Sequence, residues 1–473
     1  MRTLVWFRGK DLRIGDHPPL LDAAARGEVV PLFVLDPYFF APERARELPH
    51  RMQFLLESLQ ELSDRIASLG SRLLLIEGKS CDVIPRVAAE WKVDRVVAHR
   101  WVEPFARQRD RRISEALRVP LILYEGETLL PPEALRTSAG NPFSVFTPFA
   151  RAFLTRASIA KPLPAPSSLP ALPSDVTAPP VVLPTLASLG ISHNDAVLRG
   201  GESAARARLQ AFLANAVQHY DTDRDRMDRA GTSRLSQDLK FGTLSARAVW
   251  KALDACSDSK ATRVFKNELV WREFAHSTLW DRPDLLQNPF RHGFEGFPWV
   301  EHDAHWRAWT AGHTGYPVVD AAARQLTGEG FVHNRARMVA ASFLTKHLLI
   351  DYRRGEAHYM KYLTDGDWAQ NNFGWQWSAG CGCDAQAYFR VFNPTLQGEK
   401  FDPEGSYVRR WVPELARVPA KWIHRPSEAP ANILQSAGVV LGRDYPAPIV
   451  DHGTARDAFL ETAKQHLGKS RRE

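Results

Sequence analysis

The richest chemistry lies in Asp365-Gly366-Asp367-Trp368-Ala369-Gln370-Asn371-Asn372-Phe373-Gly374-Trp375-Gln376-Trp377. Two carboxylates stand two apart, paired amides follow, and two indoles close the run. Such a set can clamp a polar ligand beside an aromatic stacking face or electron path. Taken alone, a capped turn leading into a buried aromatic helix is the simpler account. Gly231-Thr232-Ser233-Arg234-Leu235-Ser236 puts hydroxyls at a helix start, where they satisfy free amides; the same N-terminus can hold phosphate. In Asn267–Phe274, Glu268, Trp271 and Arg272 fall at i, i+3 and i+4, on one helix face. That face is a surface ion pair beside a packed indole, or a stacking wall with a carboxylate. Tyr316–Asp320 and His333–Met338 complete the set, and His333 by itself reads as structural.

These residues need a scaffold. The first 130 residues alternate apolar, β-branched runs (Thr3–Phe7, Val29–Leu35, Arg72–Ile76, Arg95–Ala98, Leu121–Tyr124) with helical periodicities (Leu20–Arg26, Met52–Leu69, Val83–Trp91, Arg107–Leu117). Strand and helix in alternation predict a doubly wound, Rossmann-like parallel sheet covered on both faces. No G-x-G-x-x-G follows the first strand, so a dinucleotide site is not signalled there. Residues 131–200 change character. Eight prolines between Pro162 and Pro184 exclude helix and central strand and predict an extended surface linker. Residues 201–473 read as an all-α domain, with helices at Ala204–His219, Ala246–Ala255, Thr262–Leu279, Val318–Leu326, Asn334–Leu349 and Glu356–Leu363.

Composition narrows the class. A chain of 473 residues, 44% hydrophobic and 24% charged, suits two or three globular domains. No apolar run is long enough for a membrane span, and Met1–Phe7 is too short for a signal peptide. Cys81, Cys256, Cys381 and Cys383 make neither a disulfide framework nor a zinc site, which fits a reducing, cytoplasmic location. The net charge of +7 permits a polyanionic partner.

Together the stretches Thr232–Ser236, Asn267–Phe274, Thr314–Asp320, His333–Met338, Ser342–Lys346, Asp365–Trp377 and Gln397–Asp402 resemble, in order and spacing, the photolyase/cryptochrome flavoproteins. The resemblance runs from Trp6-Phe7-Arg8 to Val408–Leu415 and is nearest to class I cyclobutane pyrimidine dimer photolyases. It implies an α/β antenna domain, a linker and a helical domain binding FAD and DNA. The activity it implies is a light-driven lyase that repairs ultraviolet-damaged DNA as a monomer, cytoplasmic and nucleoid-associated when on DNA. Tyr220 and Thr232, Ser233, Arg234, Leu235 and Ser236 would hold the cofactor phosphates and ribose. Asp365 and Asp367 would bind its flavin and adenine–ribose region, with Arg337 pairing Asp365 and Asn371 facing the flavin N5. No metal is implied.

A pyrimidine dimer must leave the stack to be reached. The resemblance assigns Trp271 and Trp377 as its aromatic wall, Glu268 and Asn334 as its hydrogen-bonding edges, and Met338 beside them. Glu268 would stabilise the dimer radical anion formed when excited FADH⁻ donates an electron; the ring opens and the electron returns. Arg224, Arg272, Arg335, Arg390 and Lys400 would meet DNA phosphates, with Gln397 as a polar contact. Members that repair (6-4) lesions resemble this pattern with histidines where this chain has Asn334 and Met338, which favours cyclobutane repair. Plant cryptochromes carry Asp and animal ones Cys at the Asn371 position. That residue, and a tail no longer than Lys469–Glu473, count against the rival reading of a photoreceptor without repair.

The resemblance also implies a chain of three tryptophans that reduces resting flavin. Trp375 matches its inner member and Trp309 its surface member, while the middle position holds Tyr352. A tyrosine is harder to oxidise unless its proton leaves, so a detour through Trp368 is an alternative. For the antenna, Glu103–Asp110 resembles the 8-hydroxy-5-deazaflavin pattern. A folate-type Glu is missing at Ala106, which favours that pigment over methenyltetrahydrofolate or FMN.

Overall fold

A computed structural model describes residues 1–469; Ser470–Glu473, most of the expected tail, lie outside the described residues. Five strands form one parallel sheet: β1 (Arg2–Phe7), β2 (Glu28–Leu35), β3 (Leu74–Glu77), β4 (Arg95–His99) and β5 (Leu121–Tyr124), in the order β3-β2-β1-β4-β5. The register is fixed by pairs such as Val5↔Pro31 and Val5↔Val97. β1 and β4 are almost wholly buried, as strands covered on both faces must be. Helices α1 (Pro18–Arg26), α2 (Pro49–Ser68), α3 (Ser80–Glu90) and α4 (Pro104–Ala116) alternate with the strands. Two apolar clusters result: Val5, Phe7 and Phe54 belong to one, Leu4, Trp6 and Ile84 to the other.

The chain divides into two compact units. The first comprises Met1–Gln218, Ser233–Pro283 and Thr364–Gly366; the second His219–Thr232, Asp284–Leu363 and Asp367–Glu473. The first unit therefore also holds α5 (Phe146–Arg156), α6 (Glu202–Ala214), α7 (Ser236–Phe241), α8 (Ala246–Asp254) and α9 (Lys260–Asp281).

The stretch 131–200 departs from expectation in one respect, because it contains α5. Its Pro148 is the third helical residue, where a missing N–H breaks no helical bond. The proline-dense part has no regular helix or strand between Ala157 and Leu186, yet it is not a free tether. Leu169 and Val176 are buried, Leu169 N–H donates to Leu69 O at 2.7 Å, and Asp175 pairs with Arg2 at 2.9 Å.

The second unit is helical: α10 (Asp303–Ala311), α11 (Pro317–Glu329), α12 (Asn334–Lys346), α13 (Tyr352–Tyr362), α14 (Trp368–Ala379), α15 (Pro394–Phe401), α16 (Ser406–Trp411) and α17 (His452–Lys469). Its core gathers Val319, Leu326, Val339, Phe343, Leu344 and Trp375. Thr314–Asp320 proves to be a brace for this core. Asp320 is fully buried and accepts from Thr314 N and Oγ1, both at 2.7 Å, and from Gly315 N at 3.1 Å. No described helix is long and apolar enough to cross a membrane.

Candidate functional site

In the second unit, Asp367 begins α14 as its N-cap, its carboxylate accepting from Gln370 N at 3.1 Å. Asp367 and Asn371 are both buried, as is Asp365 in the first unit. Asn371 donates Nδ2 to the backbone oxygen of Glu356 on α13 at 3.1 Å. Its neighbour Asn372 donates to the Glu356 carboxyl at 3.1 and 3.2 Å. Burial pushes that carboxyl up to about 7, against the pull of the Asn372 hydrogen bond. Two adjacent amides thus lock α14 to α13, and the Asn371 side chain is held in one pose.

Thr232–Ser236 does not cap α7 through its side chains. The N-cap is Leu235 and carries no side-chain cap bond. Arg234 takes a left-handed φ of 52° while Leu235 is right-handed (φ −97°, ψ 1°). Alternating hand turns successive N–H groups to one side, an arrangement suited to phosphate. Thr232 and Ser233 are half-buried, Ser236 is exposed and Tyr220 is buried. Arg337 donates Nε to Val332 O at 2.7 Å and lies 5.5 Å over Phe331. Hydroxyls and turned amides in the first unit, and a capping carboxylate and a held amide in the second, are donors and acceptors of the kinds that FAD requires.

In the first unit, α9 presents Glu268 and Trp271, both half-buried. Phe146 of α5 lies flat on the Trp271 ring, with centroids 3.5 Å apart and planes within 5°. One indole face is therefore covered. Arg272 is a correction: expected to meet DNA phosphate, it is only 5% exposed. It donates to Glu127 O at 2.7 Å and sits 3.6 Å from Glu273, which caps Leu129 N and Leu130 N.

The other expected contacts lie in the second unit. Asn334 is exposed at the start of α12 and donates to the half-buried Met338 sulfur at 3.8 Å. His333 caps that helix, accepting from Arg335 N at 3.2 Å. Trp377 is half-buried on α14. Arg390 and Lys400 are exposed and Gln397 is half-buried. Arg335 pairs with Asp225 at 2.8 Å and lies 4.2 Å over Phe401, and Arg224 stands 5.7 Å over Tyr220.

Trp309 was expected at the surface end of the aromatic path. It is 2% exposed and lies 6.1 Å from Trp375, so it is an inner member. Trp368 is helical as the detour required, but seven residues of helix put it ~10.5 Å along the axis from Trp375. The ring neighbours of Trp375 among the described residues are Trp309 and Tyr359. Sequence reading missed Tyr359, Trp306 and Trp299, since nothing in their local spacing marks them.

The sheet's topological switch point lies between β1 and β4. There Arg8 sits 4.8 and 5.0 Å from Trp6 and Trp101, and donates to both oxygens of Asp110 at 2.8 Å. Of the Glu103–Asp110 stretch, Glu103, Ala106 and Asp110 are buried in the unit, Glu103 pairing with Lys10. Asp11, His17 and His99 gather nearby, all buried. His17 Nδ1 accepts from Leu20 N at 3.1 Å, so its Nε2 carries the proton and faces Asp11 at 3.8 Å rather than offering a metal lone pair.

Comparison with known proteins gives a family for both parts of the chain. A DNA photolyase family model matches residues 3–167, and one for the FAD binding domain of DNA photolyase matches 265–465. The deoxyribodipyrimidine photo-lyase of Agrobacterium fabrum (strain C58) is 40% identical, covering 97% of this chain and 96% of its own length. The enzyme of that name from Escherichia coli (strain K12) is also 40% identical, covering 96% of each. Among solved structures, a bacterial class III photolyase from Agrobacterium tumefaciens superposes with a TM-score of 0.92 at 38% identity, over 99% of this chain and 98% of its own. A Synechocystis cryptochrome superposes with 0.90 at 32% identity, over 98% and 99%.

Proposed function

The chain belongs to the DNA photolyase family and is an FAD-binding enzyme of the deoxyribodipyrimidine photo-lyase kind, and from that premise we propose that it repairs cyclobutane pyrimidine dimers in DNA under blue light. One observation carries this reading. Identity to enzymes named for that reaction spans both modules of the chain, not the flavin-binding half alone.

Bound in its reduced form, FAD would supply light-driven one-electron chemistry to the cyclobutane ring, with no net redox change. The protein's own residues do the rest. Tyr220, Thr232–Ser236, Arg337, Asp365 and Asp367 hold the cofactor. Asn371, fixed by its bond to Glu356 O, would offer a neutral amide toward flavin N5, a donor that suits the anionic reduced ring. Trp271, braced by the Phe146 ring stacked on it, and Trp377 supply indoles to a dimer swung out of the helix. Glu268 and Asn334 hydrogen-bond the pyrimidine edges, with Met338 as apolar filling. Glu268 bears on the charge that develops on the dimer. Arg224, Arg335, Arg390, Lys400 and Gln397 contact the DNA backbone, which gives affinity without sequence preference.

For the antenna we favour 8-hydroxy-5-deazaflavin over a folate. Ala106 is fully buried and offers no carboxylate where a folate would need one. The protein acts as a cytoplasmic monomer, nucleoid-associated when bound to DNA.

The test uses chemically reduced protein, oligonucleotides carrying either cyclobutane or (6-4) lesions, and blue light against a dark control. Light-dependent loss of the cyclobutane lesion alone is expected. Repair of the (6-4) lesion alone, or none with reduced FAD bound, overturns the reading; the second outcome leaves a photoreceptor like the cryptochrome it superposes on.

A further inference from the structure

Trp309 and Trp306 stand three residues apart on α10, hence on one helix face. Their rings stack with centroids 5.6 Å apart and planes 25° apart. Trp309 in turn meets Trp375 edge-on at 6.1 Å and 70°, and its Nε1 donates to Ala340 O at 3.1 Å, which fixes the ring. Both distances lie within the range of contacting aromatic pairs. Trp306 is half-buried, so this row of three indoles runs from the buried Trp375 to solvent.

Tyr352 is placed differently. Its ring neighbour is Trp299, at 6.4 Å and 73°, and it makes no ring contact with Trp375 among the described residues. Trp375 rests instead on the backbone at Gly355, where an added Cβ would come within 2.2 Å of the indole. The Tyr352 hydroxyl is buried without a hydrogen-bond partner. A phenol is oxidised easily only if its proton leaves with the electron, and no acceptor is hydrogen-bonded to this one; the neighbouring Glu356 carboxyl is engaged by Asn372. Tyr359 touches Trp309 and Trp375, but its hydroxyl is equally unpartnered.

We propose that electrons reach Trp375 from solvent through Trp306 and Trp309, and that Tyr352 lies off this route. The proposal rests on FAD being bound as read above. One electron passes from Trp306 to Trp309 and on to Trp375, refilling the vacancy left when Trp375 gives an electron to the light-excited cofactor. Trp306 then releases its indole N–H proton to water, and a solution thiol returns one electron and one proton to it. His358, 5.7 Å from Trp306 and 5.6 Å from Trp309, is held neutral by burial and adds no opposing charge. Lys361 is the charged neighbour that further favours that neutral form. Arg354 does oppose a hole, standing 4.5 Å over Trp306, with Asp303 4.0 Å from its guanidinium as a partial offset.

The test compares W306F, W309F and Y352F in the holoprotein with oxidised FAD and a thiol under blue light. Readouts are the rate of flavin reduction and the lifetime of the indole radical by transient absorption. W306F and W309F are expected to slow reduction by about tenfold or more, and Y352F by less than about twofold. R354Q should lengthen the radical's lifetime. A wild-type rate in W306F, or a tenfold loss in Y352F, overturns the route. Flavin content and light-driven repair by chemically reduced W306F serve as controls. Wild-type protein that binds no flavin, or fails to repair when reduced, overturns the cofactor reading instead.

Discussion

Phe146 and Trp271 lie face to face at 3.5 Å, 125 residues apart in sequence. The helix that supplies Phe146 arises in a stretch that reads as linker, so a residue outside the recognisable motif sets the pose of one inside it. If Trp271 stacks on the flipped dimer, Trp271→Ala should weaken binding to dimer-containing DNA by ~1–3 kcal/mol. Phe146→Ala should cost part of that amount with the indole still present. Titration of a lesion-bearing oligonucleotide measures both, and an unchanged dissociation constant for Trp271→Ala would remove it from the pocket.

Glu268 is half-buried on the same helix, one turn from Trp271. Its assigned work is on charge that exists only after light is absorbed. Glu268→Ala should therefore lower the repair quantum yield while lesion binding in the dark is largely kept. Equal losses in both would make it a binding residue.

Arg390, Lys400 and Arg272 separate exposed cations from a buried one. Arg390→Ala and Lys400→Ala should each reduce the slope of log K against log salt by about 1. Arg272→Met should leave that slope unchanged. It should instead destabilise the fold by about 1–3 kcal/mol, because the buried Glu127 O loses its donor. Salt-dependent binding and thermal unfolding distinguish the two effects.

The contrast shows what spacing can and cannot reveal. All five strands and the doubly wound order follow from apolar runs alternating with helical periods, since local pattern and burial agree there. The capping Asp367 and the face shared by Glu268 and Trp271 are local too. Arg272 was misread because its partner, Glu127 O, comes from 145 residues away. Helix α5 was missed because Pro148 looks like a breaker but falls where the first turn tolerates it. In the row Trp375–Trp309–Trp306, the resemblance already joined Trp375 to Trp309, but nothing in the local spacing marks Trp306 as the member nearer solvent.

Glu356 gives the site a dependence on pH. Burial raises its carboxyl from the ordinary 4.5 to about 7. The folded chain thus holds this proton more tightly than the unfolded chain. Its contribution to stability is complete below about 4.5 and is lost as pH climbs to about 7, where the buried group ionises. The loss is bounded at about 3 kcal/mol by the size of the shift. Glu356→Gln keeps the shape and a carbonyl for the Asn372 amide but cannot ionise. Unfolding midpoints followed from pH 5 to 8 should therefore fall less steeply in Glu356→Gln than in the wild type. Because Asn371 is anchored on the backbone of the same residue, the variant should still bind FAD. Parallel pH profiles for the two proteins would show that Glu356 is already ionised in the fold.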